Sequence, residues 1–303
     1  MVRAAHVEFL VKNLQRAREF YVDTLGFHVT EEDEEHIYLR GYEDRFHHCL
    51  ILTSSKEIGV GHFAYRVESA EDLEEFGKML QEKGIEAAMI EEDTERGQGK
   101  ALRFIDPSGF PVELFHEMEG AEWLMQRFHL QRGSGVSRLD HFNIMTKEVE
   151  KTVNWYSALG FLMSEYVEDE KGGISAAWMR RKQSSHDIAI MNGEGPRFHH
   201  AGFYVNDRDA VINCADILSS RGYYRNIERG PGRHGITNAF FLYVRDPEGN
   251  RIEFYNGDYL TADPDWKPIV WRNDDPQRQT FWGTPAPESW WKEASRVFPF
   301  HRE

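Results

Sequence analysis

Cysteine is almost missing: the 303-residue chain carries only Cys49 and Cys214. A disulfide scaffold is therefore excluded, and a reducing, cytoplasmic setting is expected. Long apolar runs are lacking too. No stretch approaches the roughly 18 residues that a membrane-spanning helix needs. The opening MVRAAHVEFLVKNLQ places charges inside any apolar segment, so no secretory signal is expected. Positive charge is in deficit, with 36 Lys and Arg against 51 Asp and Glu, a net charge of −15. That argues against nucleic acid or an anionic membrane as the main partner. Low complexity is also absent. With 40% hydrophobic and 29% charged residues the balance is that of a globular chain, long enough for two domains.

What is present is a repeat. HVEFLVKNLQRAREFYVDTLGF, from His6, aligns with HFNIMTKEVEKTVNWYSALGF, from His141, and in both a tyrosine (Tyr21, Tyr156) follows 15 residues after the histidine. HFAYRV, from His62, pairs with HAGFYV, from His200, and each reaches a glycine (Gly84, Gly222) 22 residues later. FIDPSGFPVELFH then matches VRDPEGNRIEFYN, with Asp106 to Glu113 and Asp246 to Glu253 both 7 residues apart. The chain is thus two halves, each of two similar units.

Each unit reads as strand, helix, then strands. Residues 139–145 alternate as a strand does. Leu14, Ala17, Tyr21 and Leu25 follow helical spacing, as do Val149, Thr152, Val153 and Tyr156; Leu73, Phe76 and Leu80; and Val211, Cys214, Ala215 and Leu218. Gly84 and Gly222 fit helix C-caps, and Asp-Pro-x-Gly at 106–109 and 246–249 fits a tight turn between strands. The expectation is an α+β fold of four βαβββ modules, paired into two similar domains that are each a curved, half-open mixed sheet. The expected boundaries are 1–118, a linker at 119–136, a catalytic domain at 137–256, and a tail at 257–303 holding five of the eight tryptophans. A tail so aromatic either covers the site, lies between subunits, or packs on its own domain.

The repeat selects His141, His200 and Glu253, which begin or end strand patterns in equivalent units. Two imidazoles and one carboxylate leave coordination positions open, which suits a non-haem Fe(II) centre and also accepts Mn(II). Adjacent strand residues point to opposite faces, so His199 is expected on the far face as a packing residue, while Asn143 shares the face of His141. The first half has its own set at matching positions, His6, His62 and Glu113. Its surroundings differ: Arg103 stands where the second half has Tyr243, Glu8 where it has Asn143, and EDTERGQGK where it has RGPGRHG with His234. A cation sits poorly beside a metal site, so the first half is expected to be a decayed copy.

The segment RGPGRHGITNAFFLYVRDPEGNRIEFYNGDYLTADPD and the tail pattern WRNDDPQRQTFWG…PESWWKEAS resemble the extradiol ring-cleaving dioxygenases of the vicinal oxygen chelate superfamily. The resemblance covers nearly the whole chain. It implies the same ligands, His141, His200 and Glu253, holding Fe(II) or Mn(II). It further implies His186 as acid–base group, Tyr243 and Asn143 as catalytic neighbours, and His234, Arg229 and Arg278 as substrate-binding residues. The tail reads Gln277-Arg278-Gln279, a departure from the two consecutive arginines usual in this branch. The implied reaction is meta cleavage of a catechol by O2, with 3,4-dihydroxyphenylacetate as the expected substrate and plain or differently substituted catechols as alternatives. The implied assembly is a homotetramer or other homo-oligomer. A glyoxalase-like isomerase on the same scaffold would need a fourth protein ligand, and the second half offers no extra matched carboxylate. A keto-acid dioxygenase shares the ligand set, but its chain is usually longer. Sequestering binding proteins of the superfamily lack the triad.

Overall fold

The computed structural model describes residues 1–300; positions 301–303 of the expected tail lie outside the described residues. The first half contains β1 (Arg3–Val11), α1 (Leu14–Arg18), β2 (His28–Glu32), β3 (His36–Arg40), β4 (Leu50–Ser54), β5 (Gly59–Arg66), α2 (Ala70–Glu82), β6 (Ala87–Ile90), β7 (Ala101–Ile105) and β8 (Pro111–Phe115). The second repeats this order with β9 (Val136–Thr146), α3 (Val149–Ala158), β10 (Leu162–Glu168), β11 (Ile174–Arg180), β12 (Ile188–Asn192), β13 (Arg197–Val205), α4 (Arg208–Ser220), β14 (Ile227–Arg233), β15 (Phe240–Arg245) and β16 (Arg251–Asn256). Strand, helix and three strands recur four times, an α+β fold of four βαβββ modules.

The eight-stranded sheet runs β2-β3-β4-β1-β5-β8-β7-β6, and the eleven-stranded sheet contains the equivalent run β10-β11-β12-β9-β13-β16-β15-β14. The first strand of each module pairs parallel with its last, and the two modules of a half join antiparallel at β1–β5 and β9–β13. One hydrophobic core serves both halves; Phe63 of the first meets Phe142 and Phe198 of the second at ring distances of 5.1 and 5.7 Å.

The helical periodicities reappear as buried stripes. Val149, Thr152, Val153 and Tyr156 are buried on α3, and Val211, Cys214 and Leu218 on α4. Gly84 and Gly222 take the left-handed conformation (φ +72° and +87°) that a helix C-cap needs. Both Asp-Pro-x-Gly turns close alike: Asp106 accepts from Ser108 and Phe110 N–H at 2.8 and 2.9 Å, and Asp246 from Glu248 and Asn250 at 2.8 and 2.9 Å. One helix departs from expectation. After α1 the backbone widens into a π-helical turn at Glu19–Thr24, and Phe20, Tyr21 and Val22 are buried consecutively. A regular α-helix would turn one of three successive residues away from the core.

Beyond β16 the tail first wraps its own half. β17 (Ile269–Arg272) pairs with β10, β18 (Trp282–Gly283) with β14, and β19 (Ser295–Arg296) with β13, while α5 (Glu288–Lys292) buries Trp290. Past β19 its end, Val297 to Phe300, pairs with Val60 and Gly61 of β5 in the first half. Cys49 and Cys214 are free and buried. Among the described residues no helix is long and apolar enough to cross a membrane.

Candidate metal centre

Sheet register builds the site. Cross-strand partners run in one row over five neighbouring strands: Arg229 with Tyr243, Tyr243 with Glu253, Glu253 with Gly202, and Gly202 with His141. Two residues along, and so on the same face, His200 pairs with Asn143. The row falls on one face, because facing residues in register share a side of the sheet. Gly202 at its middle is required: a Cβ there would lie 2.2 Å from Cε1 of His141. With no side chain between them, Nε2 of His141 stands 3.0 Å from Oε2 of Glu253, and Nε2 of His200 lies 3.2 Å from the same oxygen. All three groups are buried, and their ligand atoms lie within 4.8 Å of one another.

Charge is distributed unevenly over this cluster. Burial alone would lower the imidazole of His141, but hydrogen bonds to Asp140 and Glu253 raise it to about 9. Asp140 sits 3.2 Å from Nδ1 of His141 and is backed by Lys182 and Arg138. His200 has no such carboxylate behind it, and burial pushes it down to about 4. Burial favours the neutral acid at Glu253, yet the two imidazoles hold it well below the usual carboxylate range. Two nitrogen donors and one anionic oxygen converging in a dry pocket suit a divalent transition metal. Oδ1 of Asn143 adds a buried oxygen with no hydrogen-bond partner beside them. The residues fit Fe(II) or Mn(II).

His199 departs from the expected alternation. A β-bulge between Phe198 and His200 sets its Nδ1 2.7 Å from Nδ1 of His200, while its Nε2 meets the Trp290 carbonyl at 3.0 Å. It backs a ligand rather than facing away.

Above the three groups lies a small cavity whose wall includes Asn143, His186, His234 and Tyr243. The His186 ring sits 4.0 Å from that of His141, and its Nδ1 meets the Ser185 hydroxyl at 2.8 Å. Burial, then the nearby His141 and Lys182, push His186 well below its ordinary value, so it is a neutral base. The Tyr243 hydroxyl lies 2.9 Å from Nε2 of His234. Burial and Glu253 raise the Tyr243 phenol, keeping it protonated, while burial and Arg229 lower His234 to about 3.

The two arginines stand differently from expectation. Arg229 is 2% exposed and lies behind the aromatic wall, its guanidinium 4.7 Å from the Trp290 ring centre and 4.8 Å from that of Phe241. Its Nη2 donates to the Gln279 carbonyl and the Thr280 hydroxyl, while Nε and Nη1 have no partner. Arg278, expected to bind substrate, does not line the cavity in this structure. Its guanidinium donates to the carbonyl and side chain of Asn273 at 3.1 Å each, and only its backbone touches the site wall, accepting from Ile236 N–H at 2.8 Å. The two residues lie in a turn, and Gln279 is the one that lines the cavity. Trp178, Met191, Ile236, Gln279 and Trp290 also line the wall and were not among the expected site residues. Only Gln279, next to Arg278, carried a usable signal.

The family model of the Glyoxalase/Bleomycin resistance protein/Dioxygenase superfamily matches residues 3–114 and 138–254. The homoprotocatechuate 2,3-dioxygenase of Arthrobacter globiformis superposes with a TM-score of 0.97 at 44% identity, over 99% of this chain and 93% of that one. That of Brevibacterium fuscum, in complex with 3,4-dihydroxyphenylacetate, gives 0.96 at 42% identity, over 98% and 93%. A manganese-dependent 2,3-dihydroxybiphenyl 1,2-dioxygenase of Geobacillus genomosp. 3 is 35% identical over 94% of both chains. Matched in both halves and along nearly its whole length, the chain belongs to the glyoxalase/bleomycin resistance/dioxygenase superfamily, among its extradiol dioxygenases.

Proposed function

We propose that the protein cleaves a catechol ring beside its two hydroxyls, incorporating both atoms of O2, with 3,4-dihydroxyphenylacetate as the first substrate. The observation that carries this reading is the convergence of His141, His200 and Glu253 at one side of an aromatic-walled cavity, with the neutral His186 alongside. These three residues hold Fe(II) or Mn(II). Such an ion would supply Lewis acidity toward the catechol hydroxyls and a redox-active centre for O2.

The chain's own groups do the rest. His186 takes the proton of a catechol hydroxyl and returns it to the departing oxygen, work suited to an imidazole held neutral. Tyr243 stays a phenol: Nδ1–H of His234 donates to the Gln279 carbonyl, so the Tyr243 hydroxyl donates to Nε2 of His234 and its oxygen is left to accept from a substrate hydroxyl. Asn143 presents its amide on the opposite flank. Trp178, Ile236 and Trp290 keep water out. Arg229, buried without an anionic hydrogen-bond partner, supplies positive potential for a substrate carboxylate. An isomerase reading is disfavoured, because this cluster has three ligands and no fourth carboxylate among the described residues.

A second substrate reading rests on Gln279. Neither arginine lines the cavity and Gln279 does, which favours a catechol with a neutral substituent. The buried, unpaired thiols support a cytoplasmic setting, and exposed Phe281, Trp282 and Trp291 on the tail support a homo-oligomer.

Anaerobic loading with Fe(II) or Mn(II), then 3,4-dihydroxyphenylacetate in air, tests the proposal. Stoichiometric oxygen uptake with a yellow muconic semialdehyde supports it. Colour with plain catechol alone keeps the chemistry and removes the carboxylate. No turnover of any catechol by the metal-loaded protein overturns it.

A further inference from the structure

The first half holds a second convergence of ligands. The row seen in the second half recurs here: Arg103 pairs with Glu113, Glu113 with Ala64, and Ala64 with His6, while His62 pairs with Glu8. The structure adds a residue that the repeat did not select. Glu95, from the loop between β6 and β7, reaches into the cluster, its Oε1 3.2 Å from Nε2 of His62 and its Oε2 3.4 Å from Nε2 of His6. Oε1 of Glu113 lies 3.3 Å from the same His6 nitrogen, and the two imidazole Nε2 atoms are 3.0 Å apart. Four ligand atoms from His6, His62, Glu95 and Glu113 thus lie within 4.8 Å of one another.

We propose that His6, His62, Glu95 and Glu113 form a second, structural site for a four-coordinate divalent metal of the Zn(II) class. Nitrogen and carboxylate donors in a closed set of four are the ligands such an ion takes. The outer contacts are those of a metal site. Nδ1 of His62 is held by Glu8 at 2.9 Å, and Glu8 in turn by the Thr53 hydroxyl at 2.8 Å. Gln98 donates to Oε1 of Glu113 at 2.8 Å. A carboxylate behind a ligating imidazole fixes its ring and its tautomer.

Arg103, which suggested decay in the sequence, does not block the centre. Its Nε holds the outer oxygen of Glu113 at 2.6 Å, leaving Oε1 turned to His6, and its Nη2 bonds Oε1 of Glu95, leaving Oε2 of Glu95 as the oxygen without a donor. An independent sign of a missing partner is His48. It is buried, its Nε2 has no hydrogen bond, and that atom points at Oε2 of Glu95 from 3.9 Å. Oε2 of Glu95 is likewise without a hydrogen-bond donor. The site is closed: the Phe300 ring lies over His62 at 6.3 Å, and His6 and Glu113 are fully buried. A structural rather than a catalytic role follows.

The test is a metal count on the full chain, stripped with chelator, reloaded with excess Zn(II) and desalted. Wild type is expected to keep two ions per chain. Glu95→Gln, on a loop, and Glu253→Gln, in the other half, are each expected to keep one, and the combined variant none. On Glu253→Gln, X-ray absorption at the zinc edge is expected to show only nitrogen and oxygen neighbours, with the multiple scattering of two imidazoles. A single ion in wild type that is lost with Glu253→Gln overturns the proposal. So does a second ion that survives both Glu95→Gln and His62→Asn. The count is independent of whether any catechol turns over.

Discussion

The backbone carbonyl of Gln279 accepts from the buried guanidinium of Arg229 at 3.1 Å, while the Gln279 side chain lines the cavity. The tail therefore contributes a neutral amide residue to the cavity wall, which Arg229 does not reach. Exchanging that amide for a second guanidinium puts charge into the wall itself. Gln279→Arg is expected to raise kcat/KM for 3,4-dihydroxyphenylacetate relative to plain catechol by roughly 10- to 100-fold, as a charge-assisted hydrogen bond of about 1.5–3 kcal/mol would. Competition assays on the two substrates measure it. Equal losses on both would mean that the ring substituent points elsewhere.

His186 touches the ring of His141 without belonging to the ligand set, so binding and proton transfer are separable. His186→Asn keeps a polar group of similar reach but removes the base. It is expected to retain the metal, measured by emission spectroscopy, and to lower kcat by roughly 10²- to 10⁴-fold. Unchanged turnover would take His186 out of the mechanism.

Much of this was legible beforehand, and for a physical reason. Strand pairing carries register, so equal spacings in two halves translate into equal rows across two sheets. His141, His200 and Glu253 could be placed together from the repeat alone. What register does not encode stayed hidden. Glu95 enters the first-half cluster from an irregular loop, Trp290 comes from a tail helix about 90 residues from the His200 strand, and His199 is redirected by a bulge. Arg278 and Gln279 show the same limit: they lie in a turn, where no strand periodicity tells which side chain faces the cavity. The π-helical turn at Glu19–Thr24 left no trace in the periodicity, because it relieves a packing demand that only the folded core imposes.

Gly202 supports His141 by having no side chain. A Cβ at 2.2 Å from Cε1 and 2.3 Å from Nε2 of that ring must displace it, and the ring is also held from behind by Asp140. Gly202→Ala is therefore expected to fold but to bind metal roughly 10- to 100-fold more weakly, the range seen when the support of a ligating histidine is lost. Metal titration with a competing chelator measures it. Wild-type affinity would mean that the sheet yields instead of the ring.

The tail is fastened by a buried ion cluster, and that cluster sets an acid limit. Glu228 on β14 meets Arg251 at 2.5 Å and Arg245 at 2.8 Å and accepts from the Ser289 hydroxyl at 2.7 Å, while Arg251 reaches the carbonyls of Ser289 and Glu293. Burial raises the Glu228 carboxyl, but hydrogen bonds from the two arginines outweigh it and bring the group from 4.5 down to about 2. A depressed carboxyl contributes its stability above its unfolded value and loses it as pH falls toward the folded one. In metal-stripped protein, Glu228→Gln is expected to cost about 2–4 kcal/mol at pH 7, since Arg251 is left buried without its anion. The difference from wild type is expected to narrow as pH falls from 4.5 toward 2, where wild type protonates the same group. Urea unfolding of both proteins across that range measures it, and a gap that does not change with pH would assign the loss to packing around Ser289 instead of charge.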